Sequence, residues 1–450
     1  MKEISLHELA GKAVRKAQNL GSTEAEAYVE HRRVMELFME REDFKTFRMK
    51  EHFGVGVRSI VDKRIGFSHI SRLSDESLEE VCKAAFKNAK LSPRLEDWIS
   101  LPSPKPLPKV EGIYDDQVVM LDEAGLVELA KRAYDAVYET DGRAHLDDGK
   151  ITVEIVERAI CNSNGILVGD EGTWISGYIT CIASENGEVS SFAYTSRSAR
   201  RLVDFKPEDI GSEAAKLAVR SLHPKRIEPF KGKVLFEWTP TASLLLSAIA
   251  YSVNAEMVQR KSSLWAGKIN SKVAVDMLEI VDDGLLPAGL STSSFDGEGV
   301  RRQKTPIIMS GILKNYLYDS YTAYKEGRES TGNAGRGEYS TTPSISPSNM
   351  ILKEGGKSID DLILEMDKGL LIGRFSGNLN PSSGIFSGIA KQSVYVENGE
   401  IKHAVKETMI SGNIYQLLNN IVEIGKPVRP VYSAYVPPIL IDGVNIVSKS

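Results

Sequence analysis

The chain has 450 residues, of which 42% are hydrophobic and 26% charged, with a formal net charge of −5. That length points to roughly two to three domains rather than one core. The acidic balance argues against direct nucleic-acid contact, which calls for a basic excess. Three widely spaced cysteines, Cys82, Cys161 and Cys181, with no CxxC, argue against a disulfide framework or a cysteine-rich zinc site and suit a reducing cytoplasm.

The first stretch, "MKEISLHELAGKAVRKAQNLG", has no signal-peptide core. It predicts an amphipathic helix with Ile4, Leu6, Leu9, Ala13, Val14 and Ala17 largely on one face and Gly21 as its stop. Strand-like segments follow at 25–42, 46–62 and 64–73, where β-branched and aromatic residues alternate with charge, the pattern of a sheet with one wet face. A helix opened by Asp75 or Ser77 comes next, then a proline-rich surface connection at 98–113. A helix over 122–140 leads into antiparallel strands whose turns, "NSNG" and "ENG", supply residues that tolerate positive φ.

Composition changes after "LHPKRIEPFKG" (222–232), and a boundary there gives two domains, 1–225 and 226–450. The second opens with a strand and a helix, Thr239 as N-cap and Pro240 in the first turn. Its apolar run at 244–253 is about half the length that spans a bilayer, so no membrane partner is expected. Beyond residue 290 the chain reads as mostly β, with a good hairpin at "SVYVENGEIKHAVKETMISGN". The fold class is therefore α+β: an N-terminal helix and antiparallel-sheet domain, then a mostly antiparallel β domain with a few helices. The connection at 324–349 exceeds ordinary loop length, and such loops are functional or disordered.

Several short motifs carry no chemistry. "GGKS" (355–358) lacks the earlier glycine of a phosphate loop, since Ile351 stands there. There is no G-x-S-x-G elbow. "HLDDG" and "IVDDG" read as surface turns, and the basic cluster "RSARR" (197–201) as a solvated turn or helix start rather than a phosphate site. The seven histidines include no pair at the spacing of a zinc-binding helix. No catalytic or metal-ligating residue is assigned.

The segments "YTAYKEGRESTGNAGRG" (321–337) and "FSGNLNPSSGIFSGIAKQSVYVENGEIKHAVKETMISGN" (375–413) resemble the TldD/PmbA family, long called modulators of DNA gyrase and understood as metallopeptidases. The likeness covers essentially the whole chain and is strongest between 232 and 425. TldD-like members carry H-E-x-x-x-H on a helix early in the C-terminal half and a late cysteine, a set that holds zinc and activates its water. Here the equivalent helix reads "TASLLLSAIAYSVNAEMVQR", and no cysteine follows residue 181.

The resemblance therefore implies the PmbA/TldE-like branch, a subunit with no cofactor of its own. It would pair with a TldD-like, zinc-bearing partner to enclose a chamber for unfolded peptides. A homodimer is expected to be accessible when that partner is absent. A regulatory binding protein of the gyrase-modulator kind is the alternative, and an independent peptidase is disfavoured by the missing motif. Sheet edges rich in glycine bind extended peptides by strand addition. Asn333, Arg336, Asn378, Ser382 and Ser383 are the candidates for lining such a path, with a purely structural turn as the competing role for Asn333 and Arg336. "FSGNLNPSSGIFSG" (375–388) is expected to be ordered, with Phe375, Leu379, Ile385 and Phe386 buried.

Overall fold

The structure, a computed structural model, describes residues 5–41, 43–72 and 74–448. Helix α1 (Leu6–Asn19) starts at a capping box in which the Ser5 side chain accepts from the Glu8 N–H and Glu8 returns the contact. Gly21, at φ 104°, lets the chain leave it. Ile4 lies outside the described residues. Strands β1 (Glu24–Glu40), β2 (Asp43–Val61) and β3 (Arg64–Ile70) follow, and then α2 (Asp75–Leu91). The cap of α2 is Ser74, not Asp75 or Ser77; Ser77 sits at the third position and accepts from the Ser74 N–H.

A one-turn helix α3 (Asp116–Val119) and a long α4 (Glu123–Thr140) precede β4 (Ala144–Asn162), β5 (Leu167–Glu185), β6 (Glu188–Val189) and β7 (Ala193–Ala199). Helix α5 (Pro207–Arg220) closes this half. The sequence reading missed it: Lys206 makes no side-chain cap, although Pro207, Glu208 and Asp209 in the first turn are ordinary helix-start signals. The strands form one antiparallel sheet in the order β3-β2-β1-β4-β5-β6, with β7 also on β5.

Successive side chains of a strand point to opposite faces, and in this sheet both faces are used. Ala25, Ala27 and Val29 of β1 pack with Val55 and Val57 of β2 and with Leu9 and Val14 of α1. Farther along, Met35, Leu37 and Met39 join Ile151, Ile175, Leu129 of α4 and Ile210 of α5. The alternate residues Glu26, Tyr28 and Glu30 face the other way and are no more than 2% exposed, because the C-terminal half covers them. Tyr28 meets Phe295 there. The sequence pattern implies that this charged face is wet; along this stretch it is an internal junction.

The C-terminal half holds strand β8 (Phe230–Phe236), which pairs with Lys368–Leu379 in parallel and with Ile439–Ser448 in antiparallel fashion. Thr408–Asn413 and Ile385–Glu397 complete the circuit, because the last of these also pairs with Lys368–Leu379. The result is a closed ring of strands, which leaves few free edges. A second sheet runs through residues 312–313, 304–309, 280–283, 350–352, 434–436 and 429–431. The helix after β8 begins at Trp238 with Glu237 as an uncapped N-terminus, so Thr239 lies within its first turn rather than at its cap. A π-helical turn occupies Thr241–Leu246, and α-helix resumes over Ser247–Val253.

Of the three Asn-Gly turns read from the sequence, Asn186–Gly187 and Asn398–Gly399 have positive φ at both residues, whereas at Asn164–Gly165 only the glycine does. Residues 375–388 are a β-hairpin in which Gly377 pairs with Gly388. Phe386 is buried and meets Phe375 edge-on at 5.9 Å. Ile385, expected inside, is 59% exposed. Among the described residues no helix is long and apolar enough to cross a membrane.

Candidate functional site

Where the outer face of the N-terminal sheet meets the C-terminal loops, a cavity of about 730 Å³ opens. The even-numbered positions of β1, β4 and β5 form one wall: Tyr28 and Glu30, Arg158, and Gly172 and Trp174. Loops around 290–293, 335–347 and 432–433 form the other. The two halves are joined beside the cavity by a buried row of ions. Arg336 Nη2 donates to Glu26 Oε1 at 2.6 Å, and Arg58 Nη2 donates to Glu26 Oε2 at 2.7 Å and to Glu298 Oε1 at 3.0 Å. Burial alone would raise the Glu26 carboxyl, but Arg58 and Arg336 hold it below its ordinary value. Glu298 goes the other way, lifted by burial and by the nearby acids Asp319 and Glu26 despite Arg58.

The cavity wall is itself zwitterionic. Arg158 makes a two-pronged contact with Asp170, at 2.6 and 2.9 Å, and also reaches Ser293 Oγ at 2.8 Å. Burial works against the Asp170 charge, yet Arg158 keeps its carboxyl below the usual range. Arg32 bridges Glu30 and Glu154 at 3.1 and 2.9 Å. Arg200 lies over the Trp174 ring, 3.7 Å from its centroid, and gives its protons to backbone oxygens of Gly289, Thr173 and Thr292. Arg302 donates to the Phe295 carbonyl.

Of the residues read from the sequence, Arg336 lines this cavity, as do Gly335, Gly337, Thr341, Thr342, Ser344 and Ser346 of the long connection. Asn333 is 1% exposed and fully engaged: it donates to Asp282 at 2.7 Å and to the Ser346 carbonyl at 3.1 Å, and accepts from Thr331 at 2.6 Å. It positions the connection. Asn378, Ser382 and Ser383 lie apart in the hairpin. Asn378 is exposed and pairs with Ser387, Ser382 Oγ donates to the Ser262 carbonyl at 3.0 Å, and the Ser383 carbonyl accepts from Asn413 at 2.8 Å.

Two motifs dismissed from the sequence belong to the junction instead. Asp282 of "IVDDG" is not at a surface turn; it is buried and accepts from Asn333 and Ser348. "RSARR" is the end of β7 and the turn after it, with Arg197 paired to Glu213, Arg201 paired to Asp204, and Arg200 only 3% exposed. The one basic cluster of an acidic chain was the available signal, but nothing local separates a buried arginine from its solvated neighbours.

Comparison with known proteins places these features. Three models of the PmbA/TldA metallopeptidase match in succession: domain 1 at residues 25–89, the central domain at 120–222 and the C-terminal domain at 229–448. An uncharacterized protein of Methanocaldococcus jannaschii is 32% identical over 392 residues, 86% of this chain and 89% of that one. TldE from Thermococcus kodakarensis superposes with a TM-score of 0.90 at 25% identity, over 98% of this chain and all of the other. A putative modulator of a DNA gyrase from Thermotoga maritima gives 0.88 at 27% identity, again over 98% and 100%. The chain belongs to the PmbA/TldD family.

The family models are named for metallopeptidases, and a catalytic metal needs imidazole, thiolate or carboxylate ligands. The helix over Trp238–Val253 turns Leu244, Leu245, Leu246, Ala248 and Ile249 into the core and carries neither imidazole nor thiol. All three cysteines lie in the N-terminal half; burial pushes Cys82 up to about 11 and Cys181 up to about 12, away from the thiolate that binds metal. Among the described residues no group of three or more His, Cys, Asp or Glu side chains is arranged to hold a metal ion. The donor set does not fit a zinc of the peptidase kind.

Proposed function

We propose that this chain is the metal-free, PmbA/TldE-like subunit of a two-subunit peptidase. It pairs with a TldD-like, zinc-bearing partner, and together they enclose a chamber for unfolded peptides. The observation that carries this reading is the helix over Trp238–Val253, whose apolar residues fill the core at the place where a TldD-like helix would present its histidines. The likeness to TldE over nearly the full length supports the branch. Three cysteines without disulfides suit the cytoplasm. Beyond the part of Lys368–Leu379 that pairs with β8, the exposed strand residues 376–378 offer backbone and amide groups to an extended peptide.

The test is cleavage of an unfolded peptide by this chain alone, by a TldD-like partner alone and by the mixture, each with and without a zinc chelator. Activity is expected from the mixture, abolished by chelator. Chelator-sensitive cleavage by this chain alone would overturn the reading. Binding to gyrase with no cleavage in any mixture would favour the regulatory role that the name of the Thermotoga protein suggests. Without partner, a homodimer is expected by light scattering.

A further inference from the structure

The junction cavity is lined by arginines whose hydrogen-bonding capacity its own residues do not fill. Arg158, Arg200 and Arg302 all line it. Only Arg158 has a carboxylate in hydrogen-bonding contact, and that is Asp170. Among the described residues, Arg200 and Arg302 donate only to backbone carbonyls. Arg302 is 9% exposed, and its Nη1 is buried with no acceptor; Arg336, beside it in the wall, leaves Nε in the same condition. A buried guanidinium with an unmade hydrogen bond is costly, because water has been removed and nothing has replaced it. Burial and the Arg158 charge push the Arg200 guanidinium down to about 9, which leaves it charged at neutral pH. Such groups at the wall of an open cavity mark it as a candidate ligand site.

The rest of the lining narrows the ligand. Glu30, Glu154, Asp170 and Glu171 share the cavity, so a dianion such as phosphate meets repulsion as well as attraction. A single carboxylate flanked by N–H donors satisfies both signs at once. Guanidinium groups match a carboxylate with paired, parallel hydrogen bonds. Backbone-like N–H groups or an ammonium can then face the acidic side chains, and the hydroxyls of Thr342, Ser344 and Ser346 lie at the same wall.

We propose that this cavity binds an α-carboxylate, that of a free amino acid or of a peptide C-terminus, with Arg302 and Arg200 taking its oxygens. Binding is a property of this chain by itself and does not depend on the peptidase reading above. Gly172 has a place in the arrangement: a Cβ there would stand 2.8 Å from Arg200 Nη1, so the glycine leaves the guanidinium room to lie across Trp174.

The experiment is isothermal titration calorimetry of the full chain, without partner, using trialanine, trialanine amide, alanine and inorganic phosphate at millimolar concentration. Trialanine or alanine should bind, and amidation should weaken trialanine by about tenfold or more, the loss of a charge-assisted hydrogen bond. Alanine as tight as trialanine identifies an amino-acid site; trialanine tighter identifies a peptide end. Arg302→Gln and Arg200→Gln should each cost a similar factor, whereas Arg201→Gln, outside the cavity, should change nothing. Should a buried variant fail to fold, Ser344→Trp at an exposed position of the lining blocks the cavity instead and should abolish binding. Equal binding of acid and amide, phosphate tighter than either carboxylate, undiminished binding after Ser344→Trp, or no binding to the unmodified chain would each overturn the proposal.

Discussion

Two stretches of this molecule look alike on paper, residues 329–349 and 375–388, both rich in Gly, Ser and Asn. The first is irregular and sits on the junction, with Arg336 tied to Glu26 across the interface and Asn333 tied to Asp282 beneath it. The second is a regular hairpin held by its ladder and by Phe386. Small polar residues in the one make a wall for a cavity. In the other they let two strands approach. The difference lies in what each stretch is anchored to, a buried ion row or a strand pairing, and each anchor can be removed separately.

The largest effect is expected at the ion row. Glu26→Gln leaves Arg58 and Arg336 facing each other in a dry interface without their shared counter-charge. Removing one partner of a buried ionic group costs about 3–5 kcal/mol, to be read from urea unfolding at neutral pH. The hairpin stays paired in that variant. A cost below what an exposed pair gives would break the distinction, since it would mean that the junction is hydrated.

The next effect belongs to the hairpin. A Cβ at residue 388 would stand 2.5 Å from both Gly377 Cα and the Ser376 carbonyl oxygen, so Gly388→Val must push the strands apart. Overpacking of this kind costs about 1–3 kcal/mol. Hydrogen exchange should then rise across 376–390 while 333–348 stays as protected as before. Exchange rising equally in both would show that the two stretches unfold together.

The sequence made the second stretch easier to read than the first, for a physical reason. Strand period, Asn-Gly turns and the helix of residues 6–19 are local properties, and they emerged close to where they were expected. Burial of charge is a property of two surfaces meeting. Nothing near Glu26, Arg58 or Arg200 announces that residues 89 to 310 positions away will cover them, and alternating charge on β1 reads equally well as a wet face. Asp282 was misread for the same reason, its partners Asn333 and Ser348 being distant in the chain. Arg336 was legible only as a member of an overlong connection. Helix α5 is a different case, a miss of local signals that were present in its first turn.

A smaller effect tests the role of the hairpin turn. Ser382 Oγ donates to the Ser262 carbonyl, and the Ser382 N–H donates to Asn380 Oδ1 at 3.1 Å. Ser382→Ala removes the first contact and keeps the second, at a cost of about 1 kcal/mol. If the hydroxyl serves only the fold, peptide cleavage by the mixed subunits should be unchanged. A rise in KM with little loss of stability would move this turn into the peptide path.

The smallest effect lies on the surface of the N-terminal half, where ion pairs meet water. His223, in the segment between α5 and β8, approaches Glu185 at 2.5 Å and Glu188 at 2.8 Å. The bond to Glu185, then that to Glu188, raises its pKa above the ordinary histidine value. The folded state therefore holds this proton more tightly than the unfolded state does. Its contribution is fully present below the unfolded pKa, near 6.5, and is lost as pH rises through the higher folded value. His223→Asn removes the titrating group while keeping a residue that tolerates the φ of 51° found there. The difference in Tm between the parent and this variant should shrink as pH rises above about 6.5. Solvent screening keeps it small throughout, and added salt should shrink it further. Glu26→Gln, by contrast, should keep its full cost in added salt, because a Debye length has no meaning where no water reaches. A Glu26→Gln cost that falls with salt as the His223 effect does would place the ion row at the surface, and the contrast between the two anchors would fail.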